Sequence, residues 1–188
     1  MAKSENNEIM HGARGKVGKL LVFRNYYGQT IISRNGRRKK STIPSEEQTL
    51  VKERFKEGVI YAKGVLQDQV LSNFYRPYAK DGVRIYNLAL ADFCKPPQIK
   101  SINTEQYQGN AGDRITIRAV DNFKVVSVSL TIWAADGTLI ESGIAIQLAN
   151  QVDWAYTTTQ SNPGLNGTTI KAKAIDTPGN ITFFSQEV

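Results

Sequence analysis

From residue 99 to residue 188 apolar and polar residues alternate in short runs broken by turn-forming pairs, a period-two pattern that points to antiparallel sheet. "DRITIRAVD" alternates Ile115 and Ile117 with polar neighbours, and "VVSVSLTIW" directs Val126, Val128, Leu130 and Ile132 to one side. Asp136-Gly137 then supplies the strongest short hairpin signal. "VDWAYTTT", "TTIKAKAID" and "NITFFSQEV" follow, separated by "SNPGLNG" and "TPGN". Trp133, Trp154 and Tyr156 alternate with small or polar residues, so core packing is their expected role, with room for one to face outward as an anchor.

Six or seven short strands at this spacing match an immunoglobulin-like sandwich, without the cysteine pair of antibody domains. Two prolines in "KPPQ", Lys95 to Gln98, stop any helix before them and mark the expected boundary. The fold expected is therefore α+β: residues 1–95 form a basic β-hairpin and helical module, and residues 96–188 an immunoglobulin-like β-sandwich.

The hairpin is read from two β-rich runs, Lys19–Tyr26 and Thr30–Arg34, around a turn containing Gly28. Ser45 opens a helix, with Gln48 completing a capping box and Glu46 and Glu47 suiting the positive end of the helix dipole. Val51, Phe55, Val59, Ala62, Leu66 and Val70 then recur at helical spacing and predict one buried stripe. Gly58 and Gly64 weaken that helix and suggest places where another backbone comes close. After a turn near Pro77, a second helix is expected from Asp81 to Phe93, with Val83, Tyr86, Leu90 and Phe93 along one side.

Charge divides the chain as well. The net charge is +7, but 18 basic residues face 9 acidic ones up to Lys95, against 6 and 8 beyond it. Nine basic residues and no acidic one lie between residues 11 and 40: Arg14, Lys16, Lys19, Arg24, Arg34, Arg37, Arg38, Lys39 and Lys40. Phosphate neutralisation needs such a cluster, and Phe23, Tyr26 and Tyr27 are suited to stacking on bases. Acidic protein surfaces suit it equally, and basic loops also stay solvated; the three readings remain open.

Catalysis finds little support. "GARGKVGKLLVF" superficially resembles a phosphate loop, but the required first glycine is Ala13, the residue after Lys19 is Leu20, and a strand rather than a helix follows. His11 is the single histidine and Cys94 the single cysteine, which nearly excludes nucleophilic triads and histidine-rich metal sites. Cys94, beside Phe93 at a helix end, is expected to be a buried, inert thiol. Carboxylate pairs such as Asp113 with Asp121 or Asp136 with Glu141 have commoner roles in turns and strand edges. No acidic loop motif for calcium is present, so no metal or cofactor is expected. Asn166-Gly167-Thr168 and Asn180-Ile181-Thr182 read as turn residues.

Two resemblances add to this. Asp136-Gly137-Thr138, Trp154 with Tyr156, and "KAKAIDTPGNIT" resemble bacterial and phage immunoglobulin-like modules, which implies packing or recognition rather than catalysis. Gly15-Lys16-Val17-Gly18, the Arg34 to Arg38 hairpin and Pro44 with Gln48 resemble an uncharacterised bacterial and phage family whose members also carry a C-terminal β domain. The expectation is a non-enzymatic structural or assembly protein, such as a capsid or tail accessory of a tailed-phage virion, docking through Lys16, Lys19, Arg24, Arg34, Arg37, Arg38, Lys39 and Lys40. Its expected partners are proteins of a larger assembly, acidic surfaces among them, with nucleic acid as the alternative. Self-association is compatible with this, and no membrane is implicated. "MAKSENNEIM" lacks the apolar core of a secretory signal, so the expected location is the cytoplasm, or the virion if phage-encoded.

Overall fold

In the computed structural model, which describes residues 2–4, 10, 12–26, 28–36, 43–80 and 82–188, glycines set the turns of the first sheet. The sheet comprises β1 (Ala2–Ser4), β2 (Gly15–Val17), β3 (Leu21–Tyr26) and β4 (Gln29–Arg34), all antiparallel in the order β1-β4-β3-β2. β3 and β4 form the expected hairpin, with Tyr26 opposite Gln29. Part of the stretch that superficially resembles a phosphate loop, Gly15–Val17, is itself a strand at the sheet edge. Gly18 turns the chain from β2 into β3 at φ +60°, a conformation that favours glycine.

The chain divides into two compact units, residues 1–50 and 51–188. The division falls within helix α1 (Glu46–Gln67), well before the expected boundary at Lys95–Gln98. Ser45 caps α1 through its hydroxyl, which accepts the N–H of Gln48 at 3.3 Å. The helix ends where Asp68 turns extended, and its carboxylate accepts the N–H groups of Val70 and Leu71 to start α2 (Gln69–Tyr75). A short 3-10 turn, Arg76–Tyr78, carries Pro77 and precedes α3 (Ile85–Cys94).

The buried positions of α1 are Gly58, Ala62 and Val65, so of the expected stripe Ala62 alone is fully buried. Val51, Phe55 and Leu66 of this helix are exposed, as is Val70 in α2, because apolar residues surround the helix and its packed face lies where Gly58 admits Leu90 and Phe93 of α3. Ala62, Val65, Tyr75 and Ala89 form a small core with Tyr61, Leu71, Phe74, Tyr86 and Leu90 around it. Phe123, from the sandwich, packs edge-on against Tyr75 at 5.3 Å and Tyr78 at 5.2 Å.

The β-sandwich-like part consists of β5 (Gln98–Asn103), β6 (Arg114–Val120), β7 (Val125–Trp133), β8 (Leu139–Ile144), β9 (Ile146–Gln147), β10 (Asp153–Thr157), β11 (Thr169–Asp176) and β12 (Ile181–Glu187). Its two antiparallel sheets are ordered β5-β6-β10-β9 and β12-β11-β7-β8, and both contribute to one core. Ile115, Ile117, Val128, Leu130, Ile132 and Ile170 are fully buried there, as are Trp154 and Tyr156 to within a few per cent. The Asp136-Gly137 turn joins β7 to β8 as expected, with Gly137 at φ +83°. Val126 departs from expectation: a bulge at the foot of β7 turns it outward and places Val125 in the core.

Candidate functional site

Three buried strands and helix faces end in aspartates that meet one another. On β6, Ile115, Ile117 and Ala119 face inward, and the next position of that parity is Asp121. On β11, Ile170, Ala172 and Ala174 face inward, followed by Asp176. On α3 the buried positions are Ala89 and, three residues later, Asp92. One carboxylate oxygen from each of Asp92, Asp121 and Asp176 lies within 4.8 Å of the others. Asp92 is 0% exposed and Asp176 2%, while Asp121 is half-buried.

Donors hold each carboxylate in place. Asp92 Oδ2 accepts the Tyr75 hydroxyl at 2.5 Å, and Tyr75 and Tyr61 share a further hydroxyl contact at 3.0 Å. Asp121 Oδ2 accepts the N–H groups of Phe123 and Lys124, both at 3.1 Å. Asp176 receives two bonds from Asn180: Oδ1 from its N–H at 2.6 Å and Oδ2 from Nδ2 at 2.7 Å. Asp92 Oδ1 and Asp121 Oδ1 remain, buried and without a donor. Among the described residues no lysine or arginine forms an ion pair with any of the three.

Burial without a counter-charge disfavours ionisation. It pushes the Asp92 carboxyl up to about 7; the Tyr75 hydrogen bond opposes the shift, and the negative charges of Asp121 and Asp176 add to it. Asp176 is also raised by burial, against the pull of its Asn180 bonds. Such a group can exist with a proton shared between neighbouring carboxyls or with a bound cation, but not as three bare charges.

The same junction is clasped from outside. Asn180 Nδ2 donates to the Phe93 carbonyl at 3.1 Å, and Arg54 Nη2 donates to that carbonyl at 3.3 Å and to Asn180 Oδ1 at 3.1 Å. Asn180, read as a turn residue, thus joins the end of α3 to the β11–β12 turn. Beside Asp121 opens a cleft of about 570 Å³, lined by Phe74, Tyr78, Phe123 and Lys124 among others.

The basic residues are placed differently. Lys16 and Arg24 share one face of the first sheet with Val22, Tyr26 and Ile31, because Lys16 pairs with Val22 and Arg24 with Ile31. Arg34 lies opposite Leu21 on the other face, and Lys19 is in the β2–β3 turn. Arg14 precedes β2. Arg37, Arg38, Lys39 and Lys40 lie outside the described residues, as do His11 and Tyr27. Cys94 is exposed at the end of α3, contrary to expectation. Asp113 stands at the opposite end of β6 from Asp121, where it accepts the N–H groups of Gln108 and Asn110. Asp136 bonds Thr138 within its turn, while Glu141 is buried against Tyr156 and Thr159, so neither proposed carboxylate pair forms.

The aspartate cluster has no motif in the sequence, since its members are 29 and 55 residues apart. A usable signal exists nonetheless: two strands whose inward parity runs into an aspartate, and a helix whose buried stripe does the same. No helix among the described residues is long and apolar enough to cross a membrane. No family model and no curated protein matches the chain. Among solved structures, CopC from Methylosinus trichosporium OB3b is similar at a TM-score of 0.36 and 13% identity, over 47% of this chain and 87% of that one. An engineered protein is similar at a TM-score of 0.35 and 17% identity, over 63% of this chain and 27% of its own.

Proposed function

We propose that the protein is a non-enzymatic assembly component whose first unit docks onto an acidic protein surface, with an immunoglobulin-like sandwich and its helical flank as its second body. One observation carries this reading. Among the described residues 10–36 only Thr30 is buried, while Tyr26 is exposed on the face of Lys16 and Arg24, Val17 and Leu21 are exposed on the face of Arg34, and Leu20 is exposed next to Lys19 in the turn. Exposed apolar side chains with cations around them suit an interface, in which burial supplies affinity and charge supplies steering. Association with other virion proteins of a tailed phage is one such assembly, in keeping with the resemblance of the N-terminal elements.

The test is affinity purification of the tagged full chain from its native host, with chemical cross-linking through lysine. Cross-links from Lys16 and Lys19 to an acidic protein are expected, and Lys16→Glu with Arg24→Glu should remove that protein while the far-ultraviolet circular dichroism stays unchanged. Recovery of a lone monomer, or of the same partner by the charge-reversed chain, would count against the proposal. Retention that disappears on nuclease treatment would transfer the surface to nucleic acid.

A further inference from the structure

We propose that Asp92, Asp121 and Asp176 form a binding site for a divalent cation of calcium size, which fastens the helical flank to the end of the β-sandwich. The donor set is all oxygen, the chemistry of hard cations rather than of zinc or copper. The spacing agrees. Oxygens sharing one calcium ion at about 2.3–2.6 Å can stand up to about 5 Å apart, so a group within 4.8 Å closes on it with little movement.

The second observation is independent of the clustering. Asp92 is fully buried and its Oδ1 has no donor, and the buried Oδ1 of Asp121 has none either. A buried carboxylate oxygen without a donor forfeits its hydration for nothing, so it calls for a cation or for a proton shared with the neighbouring carboxyl, and titration with CaCl2 separates the two. The remaining oxygens already accept Tyr75, Phe123, Lys124 and Asn180, which orients the carboxylates as outer partners orient metal ligands. Asp121 borders the cleft by Phe74 and Tyr78, which gives the ion its path and the water molecules that complete its coordination. Because the ligands come from α3, the end of β6 and the end of β11, an ion held by all three ties those elements together.

The experiment is calorimetric titration of CaCl2 into the chelator-stripped full chain near pH 7.5, with thermal melts in parallel. One equivalent should bind, and a hundredfold excess over Kd should raise the melting temperature by about 5–10 °C. Asp92→Asn and Asp121→Asn should each lower the affinity at least tenfold. Asp121 is only partly buried, and an asparagine there can still accept the Phe123 and Lys124 N–H groups, so that variant decides the matter if Asp92→Asn fails to fold. Absence of saturable binding up to 10 mM CaCl2 would assign the cluster to a shared proton and overturn the proposal. So would calcium binding undiminished in Asp121→Asn. MgCl2 binding as tightly as CaCl2 would refute the assignment of ion size.

Discussion

Tyr156 and Tyr75 each donate a phenolic hydroxyl to a buried carboxylate, Glu141 at 3.1 Å and Asp92 at 2.5 Å. Both phenols are therefore harder to ionise than a free tyrosine. Burial pushes Tyr156 up to about 12, with the Glu141 charge and hydrogen bond adding to it, and burial likewise raises Tyr61, Tyr75 and Tyr107. A folded-state pKa above the unfolded one means stability that is intact below about pH 10 and is lost as pH rises toward 12. Absorbance titration at 295 nm should show Tyr75 and Tyr156 silent at pH 10.5, appearing only at higher pH or together with alkaline unfolding. Ionisation of every tyrosine near pH 10 in the folded chain would contradict their burial. Gly143 belongs to the same contact, because a Cβ there would stand 2.7 Å from the Tyr156 ring. Gly143→Ala should cost about 1–3 kcal/mol, measured by chemical denaturation. At this scale the sequence was legible for Trp154 and Tyr156 as core residues. Asp92, Asp121 and Asp176 were missed because a carboxylate at an inward position looks, one segment at a time, like the polar end of a strand or helix.

Elements with strong turn chemistry and the alternating strands of the sandwich were legible, whereas the phase of α1 was not. The hairpin at Gly28 and the Asp136-Gly137 turn follow from what glycine permits at positive φ, a local property. The phase of α1 is decided by what packs on it. Val51, Phe55 and Leu66 of the expected stripe are exposed while Gly58, Ala62 and Val65 are buried, so the packed face is turned away from the stripe and keeps only Ala62 of it fully buried. The two helical glycines separate these effects. A Cβ on Gly58 would lie 2.9 Å from Leu90 Cδ1 and 3.1 Å from Phe93 Cδ1, whereas one on Gly64 would meet nothing within 4 Å. The close approach suggested for both glycines thus exists at Gly58 alone, and it is to side chains of α3. Gly64→Ala should stabilise the chain by about 0.5–1 kcal/mol through helix propensity. Gly58→Val should destabilise it by about 1–3 kcal/mol by forcing α3 away. Urea denaturation of the two variants reads both signs, and equal effects would mean that α3 does not press on α1.

Over the whole molecule, a boundary drawn at two prolines gives way to contacts that cross it. Within the second unit Asn180 bonds Asp176 and the Phe93 carbonyl, Arg54 reaches Asn180, and the Thr182 hydroxyl donates to the Pro97 carbonyl at 2.6 Å. Prolines stop helices, but whether two segments share a unit depends on a side chain and a backbone carbonyl 87 residues apart, which no local pattern registers. Asn180→Ala tests the junction, because it removes a donor from a buried carboxylate and another from a helix-end carbonyl. The expected loss is about 2–4 kcal/mol, or roughly 5–15 °C in melting temperature. Hydrogen exchange should quicken in α3 before it does in β6 or β10, since those strands keep their own core. Asn180→Asp should cost more than the alanine at neutral pH, because it sets a second carboxylate against Asp176 where a donor stood at 2.7 Å. The difference between the two variants should shrink as pH falls below about 5, where the added carboxylate is protonated. If exchange in α3 is unchanged in both variants, the clasp is not what joins helices to sandwich, and the aromatic contacts of Phe123 with Tyr75 and Tyr78 hold the junction instead.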